Sequence, residues 1–200
     1  DSLDLTSQAL TELGVANAYT EKTLLSDAPV VRDVLAFVEV AALGVGDMAM
    51  AHVLKSPWMG ASDDDLLAVA AAKKQGGFQS WWETLTRADL SQHKPSARTD
   101  DDWQRTWQAW RQVCLMLAHD LQTLPMQDAL IGLFDAVQAE EAYLRCVPAS
   151  ARRQAQLQLA ALLDASQSIQ SGRFLTPLQW VHELRHNAQE VSWPSPEQSV

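Results

Sequence analysis

The sharpest chemical pattern in this chain is HELRH at 182–186. On a helix, His182 and His186 lie four apart on one face, where both could reach a zinc ion with Glu183 as general base, the constellation of a zinc metallopeptidase. Three features weigh against that chemistry. A catalytic zinc needs a third protein ligand, and of the fourteen residues that follow only Glu190 and Glu197 carry a carboxylate. No glycine turn or third His follows at the usual spacing. Arg185 also sets a cation between the two ligands, beside what would be a dication. The competing reading is an amphipathic helix with Leu178, Val181 and Leu184 turned partly inward and the His pair at its solvated edge.

Other reactive constellations are weaker. Gly44, Gly46 and Gly60 fit neither a P-loop nor a dinucleotide fingerprint, and no GxSxG elbow or Cys/His pair at suggestive spacing occurs. Asp63, Asp64 and Asp65 point in different directions on a helix, so they read as a first turn complementing the helix dipole rather than a metal site. Trp81, Trp82, Trp103, Trp107 and Trp110 could stack on bases, but their helical spacing without interleaved Lys or Arg favours core packing. Cys114 and Cys146, each among apolar neighbours, read as buried reduced thiols of a cytosolic protein. No residue set here runs a reaction by itself, and no metal ligand is assigned.

The elements that carry these residues are almost all helical. The expected fold is all-α, a bundle of eight or nine helices with at most one short N-terminal strand, placed at Val15–Tyr19 after a short amphipathic segment on Leu3, Leu10 and Leu13. Pro29 opens a helix through Leu43 whose apolar residues cover nearly the whole circumference, with Arg32 and Glu39 as its polar stripe; such a helix is central. Asp47 is expected to cap a short helix over 48–54, and Ser62 to cap one over 63–73. Residues 91–102 are polar and contain a Pro, which predicts a hinge or surface loop.

From Trp103 a stripe of Trp103, Trp107, Trp110, Cys114, Leu117, Leu121 and Leu124 steps by four and three. That predicts a long helix packed along its length on another, and Ala155, Leu159, Leu162, Ser166 and Ile169 supply a matching stripe. A helical stretch over 126–147 lies between them, bounded by Pro125 and Pro148. Gly172 is read as ending the second long helix, Pro177 as starting the last one through about residue 189, and the tail from Val191 as extended and polar.

The net charge is −10 with a pI near 4.8. An acidic surface disfavours tight, free nucleic-acid binding by this chain alone. The charge is uneven, however: residues 142–190 hold five Arg against Asp164, Glu183 and Glu190. That makes Arg152 and Arg153, with Arg145 and Arg173, the better place to seek an anionic partner. No apolar run is long enough for a membrane span, and the first residues lack the features of a signal peptide. The chain starts without Met, partway into an amphipathic pattern, and is expected to be part of a longer polypeptide.

Two stretches resemble UvrD/RecB-type superfamily 1 DNA helicases. Residues 24–70 are similar to the segment in which a helix reading roughly PEVRDLLALLR precedes V-L-R-S-P-x-x-G-x-S-D-x-D-L. The matches are Pro29, Val31, Arg32, Asp33 and Leu35, then Asp47 and Ala49, and then the run from Val53 through Leu66, in which Lys55 replaces the Arg. QALTELGV at 8–15 looks like the helix after motif IV, and EQSV at 197–200 like the residues before T-I-H-x-x-K-G-L-E. Residues 100–190 resemble the RecB and AddA helicase-exonucleases in general pattern.

The resemblance implies residues 1–27 as the edge of the second RecA-like motor domain, 28–190 as the inserted helical subdomain called 2B, and 191–200 as a linker returning to the motor. It implies a cytoplasmic ATP-dependent enzyme of DNA repair whose ATP and Mg²⁺ sites lie outside this chain, so no cofactor is expected here. Partners would be DNA, through the full-length parent, and a partner subunit of a helicase-nuclease complex; no membrane is implied. In the UvrD relatives a G-I-G turn after the S-P step offers backbone N–H groups to duplex phosphates, and Gly60-Ala61-Ser62 occupies that place. Lys55, Ser56, Gly60 and Ser62 are therefore candidate DNA contacts, alongside Arg152 and Arg153 from the charge distribution. Ala61 and the missing second Gly depart from the family turn, and Asp63–Asp65 offset the helix dipole. The alternative to a helicase accessory subdomain is a non-enzymatic all-α protein–protein interaction module.

Overall fold

The computed structural model describes residues 20–169, 175–186 and 190–194, and within them the fold is an all-α multi-helix bundle. Strand β1 (Thr20–Leu24) and a 3₁₀ turn (Leu25–Asp27) lead into helices α1 (Pro29–Leu43), α2 (Asp47–Lys55), α3 (Asp63–Gly76) and α4 (Trp81–Arg87). A second 3₁₀ turn (Ser91–His93) precedes α5 (Asp100–Thr123), α6 (Met126–Val137), α7 (Ala139–Cys146), α8 (Ala149–Ile169), α9 (Pro177–His186) and strand β2 (Glu190–Pro194).

The bundle is built around α1. Pro29 starts it, and Gly44 ends it in the left-handed region (φ 67°), returning its amide to Val40 O at 2.8 Å. Its β-branched residues are modest helix formers, so burial rather than propensity holds it. Val30, Val31, Val34, Leu35, Phe37, Val38 and Val40 are all buried, and burying Phe37 or Leu35 is worth about 1.5–3 kcal/mol each. Helices α2, α5, α8 and α9 all pack on α1, as expected of a helix apolar on every side.

The two long stripes find partners other than each other. On α5, Trp103, Trp107, Trp110, Cys114 and Leu117 are buried; on α8, Ala155, Leu159, Leu162 and Ser166 are. The main contacts of α5 are α1, α4 and α6, and those of α8 are α1, α6, α7 and α9. Both long helices lean on α1 in place of the predicted direct pairing. An a/d stripe states that one face is buried, not which helix buries it. Indole donors fix the Trp registers: Trp103 Nε1 donates to Leu90 O (2.6 Å) and Trp110 Nε1 to Met59 O (2.9 Å).

Several local expectations need correction. The stretch 126–147 is two helices, broken at Gln138, whose φ of 47° ends α6 and starts α7. Gly46, not Asp47, precedes α2; the Asp47 carboxylate instead accepts the Trp81 amide (2.8 Å) and pairs with Lys73. Within the polar run 91–102, residues 94–99 are the expected surface loop rather than a hinge, since Arg98 ties them to α3, while 91–93 form a 3₁₀ turn and 100–102 the first turn of α5. Cys114 is buried, but Cys146 is exposed at the end of α7.

Two strands are present where at most one was expected. β1 and β2 pair antiparallel, with Thr20 opposite Pro194 and Leu24 opposite Glu190. The strand expected at Val15–Tyr19, the amphipathic segment before it, and Gly172 and Arg173 lie outside the described residues. No described helix is long and apolar enough to cross a membrane.

Candidate functional site

The corner between α2 and α3 gathers Lys55, Ser56, Gly60 and Ser62. Ser56 is buried and donates its hydroxyl to Val53 O at 2.6 Å, closing the end of α2. Gly60 is exposed at φ 63°, a backbone conformation that favours glycine, and it turns the chain towards α3. Ser62 caps α3 through a capping box: its hydroxyl accepts the Asp65 amide at 3.2 Å while the Asp65 carboxylate accepts the Ser62 amide at 2.9 Å.

These bonds occupy the donors that a phosphate would use. The Gly60 amide donates to Ser56 O (2.9 Å) and the Ala61 amide to Leu54 O (2.8 Å). With Ser62 committed to Asp65, each of the three turn amides already has an internal acceptor. The next two amides, on Asp63 and Asp64, sit beside their own exposed carboxylates. Lys55 reaches across to Asp63 at 2.8 Å, so the one cation at the corner also has an acidic neighbour. An approaching anion meets carboxylate first, and the helix dipole is already complemented.

Asp65 is the buried centre of the corner. Arg98 binds it with both edges of its guanidinium, Nε to Oδ1 at 2.6 Å and Nη2 to Oδ2 at 2.7 Å, and extends Nη1 to Asp102 at 2.7 Å. Burial pushes the Asp65 carboxyl up, but the Arg98 and Ser62 hydrogen bonds outweigh it and hold the group below its usual range.

Arg152 and Arg153 are placed elsewhere. Both are exposed within the first five residues of α8, a helix packed chiefly on α1, α6, α7 and α9, while α2 and α3 pack chiefly on α1, α4 and the second 3₁₀ turn. Among the described residues neither Arg is drawn into an ion pair, unlike Lys55. Of the six candidate DNA contacts, four share the α2–α3 corner and two are exposed cations near the start of α8.

His182 and His186 are exposed on α9, with their Nδ1 atoms 3.1 Å apart, and Val181 and Leu184 face inward with the fully buried Trp180. Leu178 remains partly exposed. Among the described residues no group of three or more His, Cys, Asp or Glu is gathered that could hold a metal ion. Arg185, between the two His, reaches Glu39 on α1 at 2.8 Å and pins α9 to the central helix.

One polar cluster escaped the sequence reading. Asp33, on the inward side of α1, accepts the Tyr143 hydroxyl of α7 and contacts His52 Nε2 of α2 at 2.6 Å. Burial raises the Asp33 carboxyl above its usual range against the opposing pull of Tyr143 and His52. The signal was a charged residue among the apolar positions of a helix otherwise destined for the core, beside the polar stripe assigned to Arg32 and Glu39. The cluster joins three helices, and His52 opens onto a cleft of about 470 Å³ lined also by Ser26, Arg32, Glu39 and Arg185.

The chain matches no protein-family model and no curated protein.

Proposed function

We propose that this chain is the inserted helical subdomain, 2B, of the second motor half of a UvrD/RecB-type DNA helicase of the RecB/AddA-like helicase-exonuclease kind. In this reading it is an accessory body that guides duplex or docks a partner subunit in the cytoplasm, while RecA-like domains elsewhere in the polypeptide hydrolyse ATP with Mg²⁺. The subdomain itself catalyses nothing and takes no cofactor.

The observation that carries the reading is the pairing of β1 with β2. An inserted unit must leave its host and rejoin it at nearly the same place. The strand before α1 and the strand after α9 form one antiparallel ladder, from Thr20 opposite Pro194 to Leu24 opposite Glu190. Neighbouring strands lie about 4.8 Å apart, so the helical body begins and ends at a shared base. The residue pattern from Pro29 to Leu66 supports the same reading. The occupied turn amides at 60–62 shift the expected duplex contact away from that corner and towards the open Arg152 and Arg153 on α8.

The test is the coding sequence on both sides of the chain, together with binding assays on the chain itself. A Walker GxxxxGK[ST] motif upstream and a T-I-H-x-x-K-G-L-E motif downstream are expected; flanks that continue without either overturn the proposal. Titration with Mg-ATP should show no binding, and a duplex with a single-stranded tail should bind weakly and lose affinity as salt rises. Hydrolysis of ATP by the chain alone is equally fatal.

A further inference from the structure

Helices α6, α7 and α8 enclose an open trough of about 720 Å³ that no element of the described fold fills. We propose that it is the docking site for a short cationic amphipathic helix of a partner protein. The floor and walls are apolar: Ile131 and Phe134 from α6, Leu144 from α7, and Leu159 and Leu163 from α8. Ile131 is 42% exposed, which is unusual for an isoleucine on a helix whose other large apolar residues are packed.

The rim selects the partner's charge. Asp135, Glu140 and Glu141 line it, and no Lys or Arg does. Glu140 accepts Gln156 Nε2 at 2.6 Å across the trough, a bond that leaves its negative charge in place. Arg152 and Arg153 stand a turn before Gln156 on α8, outside the lining. A second copy of this chain, at −10, would bring like charge to this rim and is disfavoured on that ground.

The shape selects a helix. All three walls are helices whose backbone groups bond internally, so there is no sheet edge to which an extended peptide could add. Phe134 is the one aromatic ring lining the trough, too little for a polyproline groove. The trough is open to solvent, whereas sites for small molecules bury most of their ligand. A helix about 10 Å across can lay residues i, i+3 or i+4, and i+7 along it.

The backbone carries an independent mark of the same place. Gln138 also lines the trough and is, among the described residues, the one non-glycine with positive φ. Its left-handed conformation costs about 1–2 kcal/mol and breaks what would otherwise be one helix from Met126 to Cys146. Strain of this kind, held where a groove opens, points to use of the groove.

The inference stands or falls apart from the helicase reading. The probe is a fluorescein-labelled helical peptide of about 15 residues with leucines at i, i+4 and i+7 and flanking lysines, compared with a twin carrying glutamates in place of the lysines. The lysine peptide should bind the whole chain at least about tenfold more tightly than its twin. Ile131→Asp should weaken it at least about tenfold, and Glu140→Lys with Glu141→Lys should reverse the preference between the twins. All three positions are exposed, and circular dichroism will show whether the variants stay folded. Equal affinity for the two peptides, or affinity unchanged in Ile131→Asp, overturns the proposal. So does a dimer in sedimentation that Ile131→Asp dissolves, because the occupant is then a second copy.

Discussion

Asp65 and Arg98 are joined by two parallel hydrogen bonds of 2.6 and 2.7 Å, with the carboxylate completely buried and the guanidinium largely so. Asp65 also receives the Ser62 amide, so one side chain both caps α3 and anchors the loop before α5. Replacing Arg98 by Ala leaves that buried charge with the cap alone. The expected loss is about 3 kcal/mol, read as a lower denaturant midpoint with unchanged slope. Because the folded Asp65 titrates below its unfolded value, its contribution is complete above about pH 4 and declines as pH falls through the depressed folded value. Arg98→Ala should therefore flatten the acid limb of the stability profile as well as lower it.

Asp33 carries the opposite sign. Burial raises its carboxyl, so the folded state binds a proton more tightly than the unfolded one. Its contribution to stability then declines as pH rises from about 4 through the raised folded value. Asp33→Asn removes that slope, and the difference between wild type and variant in urea titrations from pH 4 to 7 measures it. Tyr143→Phe removes a hydrogen bond to a charged acceptor and should cost about 1.5–3 kcal/mol.

The candidate DNA contacts separate by their surroundings. Lys55 is engaged with Asp63, so on the proposed helicase reading Lys55→Ala should leave DNA binding nearly unchanged. Arg152→Ala and Arg153→Ala should each weaken binding and each reduce the slope of log K against log salt by about 1. Anisotropy titrations of a labelled duplex at three salt concentrations decide between them. A large effect of Lys55→Ala would return the contact to the α2–α3 corner.

Gln138→Gly should stabilise the fold by up to about 1 kcal/mol, since glycine adopts φ 47° without the penalty that a side chain carries there. Part of the gain is offset by the greater freedom of glycine in the unfolded chain. Thermal melts compare the two. Loss of stability would mean that Gln138 makes contacts worth more than its strain.

Much of the architecture is legible in residue types. Pro29 and Gly44 bound α1, and its continuous apolar surface marks it as central. Ser62 marks the cap of α3, and the Trp103–Leu117 stripe marks one buried face of α5. The β1–β2 ladder is harder to read, because a two-stranded ribbon depends on a partner nearly the length of the chain away. The break at Gln138 has no glycine or proline to announce it.

The candidate site divides the same way. Sequence alone established that the corner at 55–62 is a turn with small residues at a helix start. The tertiary structure decided that the turn amides are already bonded, that Arg98 comes from 33 residues away to neutralise Asp65, and that Arg152 and Arg153 remain open. The same holds for the long helices, which share α1 between them in place of pairing. Periodicity reports which face of an element must leave water, because burial is a property of each residue; the identity of what covers that face is a property of the pair, and only the folded arrangement specifies pairs.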